Sequence, residues 1–139
     1  MDEMTRKLEG GCHCGAIRYA VELDPSRGTM CNCSICQKIG VLGTRVQPDA
    51  FRVLSGGEAL HAYELKSGQR YFCSRCGVHC FGRAEVKELG GAFVSVNLNT
   101  LDGVDPVEVK ITHWDGRHDN WRAGTRSERW PLTPAPAST

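Results

Sequence analysis

The chain has 139 residues, the size of one domain. Seventeen Lys and Arg face sixteen Asp and Glu for a formal net charge of +1, so no overall field draws it to nucleic acid or to an anionic membrane. Hydrophobic residues make up 40% and aromatics 7%, and no apolar run approaches the roughly 18 residues of a spanning helix.

The first residues, Met1 to Lys7, are charged and precede no apolar segment. They are expected to form a flexible lead, 1–7, rather than a secretory signal, which gives a cytoplasmic location with reduced thiols. Ala16 to Leu23 alternates as a strand does, with Ile17, Tyr19 and Val21 on one face. Asp24-Pro25-Ser26-Arg27-Gly28 reads as a turn. The cysteines that follow belong on a loop or a single helical turn. Gly43 to Gln47, Phe51 to Leu54, Leu60 to Leu65 and Gln69 to Cys73 read as short strands, punctuated by Ser55-Gly56-Gly57 and Ser67-Gly68. His79 to Gly82 has strand character too. Ala92 to Leu98 is the clearest alternating run, and Val107 to Thr112 is a further strand candidate. No window of 12 or more residues carries a helical period. The Pro/Ala/Ser/Thr-rich end, 131–139, is expected to be a flexible tail behind a single mainly β domain, 8–130.

Seven of the eight cysteines fall in three clusters, Cys12-His13-Cys14, Cys31-Asn32-Cys33-Ser34-Ile35-Cys36 and Cys73-Ser74-Arg75-Cys76. Such spacings suit metal ions better than strained disulfides. Cys12, Cys14, Cys73 and Cys76 make two short pairs about sixty residues apart, each followed by a glycine, Gly15 or Gly77. A glycine there permits the sharp, positive-φ turn of a metal knuckle. The four read as one closed structural zinc site that clips two hairpins together. A Cys73/Cys76 redox pair would leave Cys12 and Cys14 without a role. Cys31, Cys33 and Cys36 bring three sulfurs within six residues, and one turn cannot easily supply a fourth ligand. A zinc held there keeps a position open, and such an ion can bind and deprotonate an incoming thiol. Cys80 could complete that site as a fourth ligand; the reading preferred is a small buried thiol. His13, between two ligands, is expected to face solvent.

Together the motifs Gly11-Cys12-His13-Cys14-Gly15-Ala16-Ile17-Arg18-Tyr19, Cys31-Asn32-Cys33-Ser34-Ile35-Cys36-Gln37-Lys38 and Tyr71-Phe72-Cys73-Ser74-Arg75-Cys76-Gly77 resemble the glutathione-dependent formaldehyde-activating enzyme family, which includes centromere protein V. The likeness extends through Phe93 to Leu98 and Ile111-Thr112-His113-Trp114, and covers about residues 8–122. It implies a β-tent of stacked small antiparallel sheets. It also implies a structural zinc at Cys12, Cys14, Cys73 and Cys76 and a catalytic zinc at Cys31, Cys33 and Cys36. The implied reaction is that of a carbon–sulfur lyase, joining glutathione to formaldehyde as S-hydroxymethylglutathione. Where many relatives carry a basic residue after the third cysteine of the open site, this chain has Gln37, then Lys38.

A glutathione site needs cations for two carboxylates, and Lys38, Arg45 and Arg70 are the candidates, though solvated surface charge is their ordinary role. His113, Trp114 and His118 could line a pocket; core packing is the expectation for Trp114. Trp121 and Trp130 stand among Arg117, Arg122, Arg126 and Arg129, an interleaving that can contact nucleic acid, against which the near-neutral charge speaks. The reading is thus a cytoplasmic zinc enzyme acting on glutathione and a small aldehyde, its open-site zinc labile without thiol. A non-catalytic zinc interaction module is the alternative, and methionine sulfoxide reduction through Cys80 a third.

Overall fold

Short alternating runs broken by glycine favour strands, and the computed structural model, which describes residues 4–133, contains ten of them. In chain order they are β1 (Arg6–Gly11), β2 (Arg18–Leu23), β3 (Arg27–Cys31), β4 (Gly43–Val46), β5 (Phe51–Ser55), β6 (Leu60–Leu65), β7 (Gly68–Cys73), β8 (His79–Val86), β9 (Gly91–Asn97) and β10 (Lys110–Trp114). The α-helix among the described residues, α1 (Ser34–Ile39), has six residues. Among the described residues no helix is long and apolar enough to cross a membrane.

The strands make two open sheets, three-stranded in the order β1-β2-β5 and seven-stranded in the order β10-β3-β4-β9-β8-β7-β6. Neighbours are antiparallel except β10 and β3, which run parallel. The fold is mainly β, a β-tent of stacked open sheets with cysteine turns at their ends.

Side-chain alternation decides what each face of the large sheet does. Phe81 pairs with Val96 and Val46 with Val94, and this face packs onto the small sheet. The core between the layers includes Ile17, Tyr19, Val94 and Val96, each 0% exposed. Phe51 bridges the layers, its ring centroid 5.2 Å from that of Tyr19 and 4.4 Å from that of Phe81. The hydroxyls of buried Tyr19 and Thr100 are hydrogen-bonded at 2.5 Å. The other face carries Trp114 beside Cys31, Thr29 beside Gly43, Arg45 beside Ser95, and Gly82 between Ser95 and Arg70. Alternation thus sends one set of residues inward as core and leaves the other to line a site.

Several expectations shift. Arg6 and Lys7, assigned to a flexible lead, open β1, which pairs in register with β2 from Arg6 opposite Leu23. Ladder hydrogen bonds and the burial of Leu8 against the core order what charge alone suggested was loose. The expected tail has no regular structure at 131–133, and its remainder, 134–139, lies outside the described residues. Residues 1–3 lie outside them too. The turn at Asp24 is present, with Asp24 Oδ1 accepting from Ser26 N at 2.9 Å, but it ends at Ser26, and Arg27 and Gly28 belong to β3. The strand expected over Val107 to Thr112 begins only at Lys110. Asp105 accepts from Val107 N at 3.0 Å and Pro106 fixes the next φ, so Pro106–Glu108 forms a 3-10 turn with Val107 88% exposed.

Candidate functional site

The closed cluster is built by two similar turns. Cys12 and Cys14 lie between β1 and β2; Cys73 ends β7 and Cys76 precedes β8. Gly15 and Gly77 have φ of 82° and 78°, where a Cβ would be strained, and their amides donate to the carbonyls of Cys12 and Cys73. The four sulfurs lie within 4.8 Å of one another. Backbone amides point at sulfur, from Ile17 to Cys12 Sγ and from Arg75 to Cys73 Sγ, both at 3.3 Å. Amides of Cys14 and Val78 pull the Cys76 thiol down to about 6, which makes it a thiolate at neutral pH. Four sulfurs so placed match the ligand set of a tetrahedral metal ion. The turns join the β1–β2 hairpin to the β7–β8 hairpin, so metal binding here would tie the two sheets together.

The second cluster sits on the outer face of the large sheet. Cys31 ends β3 opposite Trp114, Cys33 caps α1, and Cys36 lies in its first turn. The Cys33 sulfur accepts from Cys36 N at 3.4 Å in place of an ordinary capping oxygen. All three sulfurs are within 4.8 Å of one another, and among the described residues no His, Cys, Asp or Glu joins them as a fourth. Hydrogen bonding from the Cys31 and Cys36 side chains holds the Cys33 thiol far below its ordinary value, against the penalty of burial. Arg70 Nη2 donates to Cys36 Sγ at 3.4 Å and adds positive charge. Three sulfurs, one of them hydrogen-bonded to a guanidinium, fit a zinc ion with a position left over.

A cavity of about 340 Å³ opens over this cluster, lined by the outer face of the sheet. It includes Cys31, Cys33, Cys36, Arg45, Arg70, Val86, Leu89, Phe93, Trp114 and Trp121. Trp114 and Trp121 are tilted against each other with centroids 5.7 Å apart. The Arg45 guanidinium lies 5.4 Å from the ring centroids of both Phe93 and Trp114, and its Nη1 donates to the Leu89 carbonyl at 3.2 Å. A second cavity of about 450 Å³ shares Cys31, Cys36 and Trp114 with the first, and Gln37, His113, Arg129 and Trp130 help line it.

A buried polar knot fixes the turn that carries the cysteines. Asn32, 7% exposed, donates to Asp115 Oδ1 at 2.9 Å and accepts from Arg117 N at 3.0 Å. Asp115, 5% exposed, also accepts from Asn120 at 3.3 Å and pairs with His118 Nδ1 at 2.8 Å. Burial pushes the Asp115 carboxyl up, but the hydrogen bonds from Asn32, His118 and Asn120 together outweigh it and hold the group below the usual carboxylate range. The loop after β10 is thereby locked onto the cysteine turn. Gly116 in that loop comes so close to Cys31 that a Cβ would collide with its sulfur.

The candidate residues divide accordingly. Arg45 and Arg70 line the cavity, whereas Lys38 is exposed and lines neither cavity. Trp114, expected in the core, is half-buried on the cavity wall, because β10 carries it on the outer face beside Cys31. Trp121 lines the cavity too, and Trp130 donates its Nε1 to the His113 carbonyl at 2.9 Å beneath the Arg126 guanidinium. His113 enters only the second cavity, while His118 serves the polar knot. His13 is exposed. Cys80 is 0% exposed and outside both clusters, and burial followed by the neighbouring sulfurs pushes its thiol up to about 12, which suits neither a ligand of the open cluster nor a nucleophile. Asn32, Asp115, Gly116 and the wall residues Val86, Leu89 and Phe93 were not singled out by sequence. Only Asn32, enclosed between two cysteines, offered a local signal.

Residues 7–117 match the family model described as "Glutathione-dependent formaldehyde-activating enzyme". A Halomonas elongata protein, provisionally named a glutathione-dependent formaldehyde-activating enzyme, is 39% identical over 132 residues, covering 78% of this chain and 84% of that protein. A Phaeosphaeria nodorum protein of the same provisional name is 32% identical over 113 residues, and the chain spans about half of its length, 53%. A crystal structure of a Rhodobacter sphaeroides protein superposes with a TM-score of 0.66 at 28% identity, covering 73% of this chain and 94% of that one.

Proposed function

Because the chain belongs to the glutathione-dependent formaldehyde-activating enzyme family, we propose that it is a carbon–sulfur lyase, joining a thiol such as glutathione to formaldehyde or a related carbonyl compound, or cleaving such an S-conjugate. The observation that carries this reading is the three-sulfur cluster with Arg70 on Cys36, placed on the wall of a cavity able to take a small molecule. Cys12, Cys14, Cys73 and Cys76 would hold a structural zinc, and Cys31, Cys33 and Cys36 a catalytic and more labile one. Held by Cys31, Cys33 and Cys36, a zinc ion would supply Lewis acidity for activating a thiol at neutral pH.

The chain's own residues supply the rest. Arg70 stabilises the negative charge gathered on the cluster, and with Arg45 it offers guanidinium donors for the carboxylates of the thiol substrate. Trp114 and Trp121 shield the reacting atoms from water. The Asn32–Asp115 knot keeps the cysteine turn from shifting as substrates bind. Addition forms the sulfur–carbon bond, and the thiol's proton ends on the former carbonyl oxygen. Thiols kept free to hold zinc would suit a cytoplasmic setting.

The test is zinc content by native mass spectrometry under reducing conditions, with the rate of thiol–aldehyde adduct formation measured on the same samples. Two zinc ions are expected in the wild-type protein, and Cys33→Ser should lose one zinc and all turnover while staying folded. Cys73→Ser should unfold the chain, since a structural zinc contributes on the order of 10–16 kcal/mol, comparable with the ~5–15 kcal/mol stability of a whole domain. One zinc with no turnover in the wild type would leave a non-catalytic metal module and refute the proposal.

A further inference from the structure

Glutathione and formaldehyde have no apolar side chain, yet much of the cavity wall is apolar. The register shows how that wall is arranged. The row Arg70–Gly82–Ser95 crosses the sheet at the level of the cysteines, since Arg70 reaches Cys36. One step further along β8 and β9, Ala84 stands opposite Phe93, and the next residue on that face of β8 is Val86. Leu89, in the turn joining the two strands, closes the end. At about 3.3 Å per residue, the strip from the Gly82 row to Val86 is roughly 13 Å long. Arg45, stacked over Phe93 and hydrogen-bonded to the Leu89 carbonyl, fixes the ring and the turn from the side. The strip is built from Ala84, Phe93, Val86 and Leu89 and is continuous with the three-sulfur cluster, while Arg45, Lys66 and Ser67 also line the cavity.

We propose that this strip is the binding site for an extended apolar group on the carbonyl reactant, so that the chain acts on alkyl or aryl aldehydes of about six to ten carbons, and on their thiol adducts, in preference to formaldehyde. The proposal deepens the carbon–sulfur lyase reading and rests on it for the reaction, although the subsite can be tested without turnover. The step balances as before: the thiol sulfur bonds to the aldehyde carbon, the C=O π bond becomes C–O–H with the thiol's proton, and no oxidant or reductant is needed. The alkyl chain then runs from the new carbon–sulfur bond along Ala84, Phe93 and Val86 toward Leu89. Burial of successive methylene groups in this strip raises affinity with chain length.

The experiment is calorimetric titration of the zinc-loaded protein with S-methyl-, S-butyl- and S-hexylglutathione, which carry no free thiol and need no catalysis. Affinity should rise at least tenfold from S-methyl to S-hexyl, and Val86→Asp should bring S-hexylglutathione down to the wild-type affinity for S-methylglutathione. A wild-type series that is flat or falls with chain length overturns the proposal whether or not the variant folds. Rates with glutathione plus formaldehyde or hexanal separate the two readings. A rising affinity series without turnover on either aldehyde would support the subsite and sink the lyase assignment. Turnover that favours formaldehyde, with a flat affinity series, would keep the lyase and sink the subsite.

Discussion

Gly116→Ala probes the closest approach in the site. A Cβ at this position would lie 2.7 Å from Trp121 Cη2 and 3.2 Å from its Cζ2, and would collide with the Cys31 sulfur. Carbon atoms pack best at about 3.5–4.0 Å, so the Trp121 ring would have to retreat by roughly 1 Å. Neither neighbour yields freely. Cys31 is held at the end of β3 opposite Trp114, and Trp121 packs against Trp114. Overpacking of this kind costs about 1–3 kcal/mol, which for a domain of this size corresponds to a Tm loss of roughly 3–12 °C. A displaced Cys31 sulfur should also weaken the open site, and a misplacement near 1 Å can cost about a hundredfold in rate. The assay is thermal unfolding of the zinc-loaded protein, followed by zinc content after dialysis and the adduct-forming rate. Gly57→Ala is the control, because no atom lies within 4 Å of its would-be Cβ and its φ is not positive. If Gly116→Ala matched Gly57→Ala in Tm, zinc content and rate, the close packing of the 114–121 loop on Cys31 would be refuted.

Arg70→Ala removes the donor to Cys36 and a cation from the cavity, and hydrogen bonds involving a charged group are worth about 1.5–3 kcal/mol. A fall of at least tenfold in kcat/KM for glutathione is expected, with Arg70→Lys recovering part of it; steady-state kinetics showing no change would dismiss the guanidinium's role. Asp115→Asn should destabilise by about 1–3 kcal/mol, since an amide cannot accept from Asn32, His118 and Asn120 as the carboxylate does. The folded carboxyl is depressed below its unfolded value, so its stabilisation is complete above about pH 4 and fades as pH falls through the folded value. Urea midpoints of wild type and variant should therefore converge as pH falls below about 4; a gap that persisted undiminished through that range would contradict the sign.

The two cysteine groupings were legible in the sequence because they are written in local spacing. Cys-x-Cys and Cys-x-x-Cys place sulfurs on one turn whatever the rest of the chain does, and the glycines after them announce the positive φ observed at Gly15 and Gly77. The alternation from Ile17 into β2 and along β9 likewise marked Ile17, Tyr19, Val94 and Val96 as one-faced, and they belong to the core. Three things depended on tertiary structure. Edge strand β1 is ordered by its ladder to β2, which no count of its charged residues could reveal. Trp114 and Phe93 have compositions fit for a core, and only the pairing of β10 with β3 and of β9 with β4 and β8 puts them on the outer face beside the sulfurs. Arg70 is 34 residues from Cys36, and Asn32 is 83 from Asp115, so neither contact leaves a periodic or motif signal. Local spacing set which atoms can share an ion; strand register, a long-range property, set which cations, rings and apolar chains surround it.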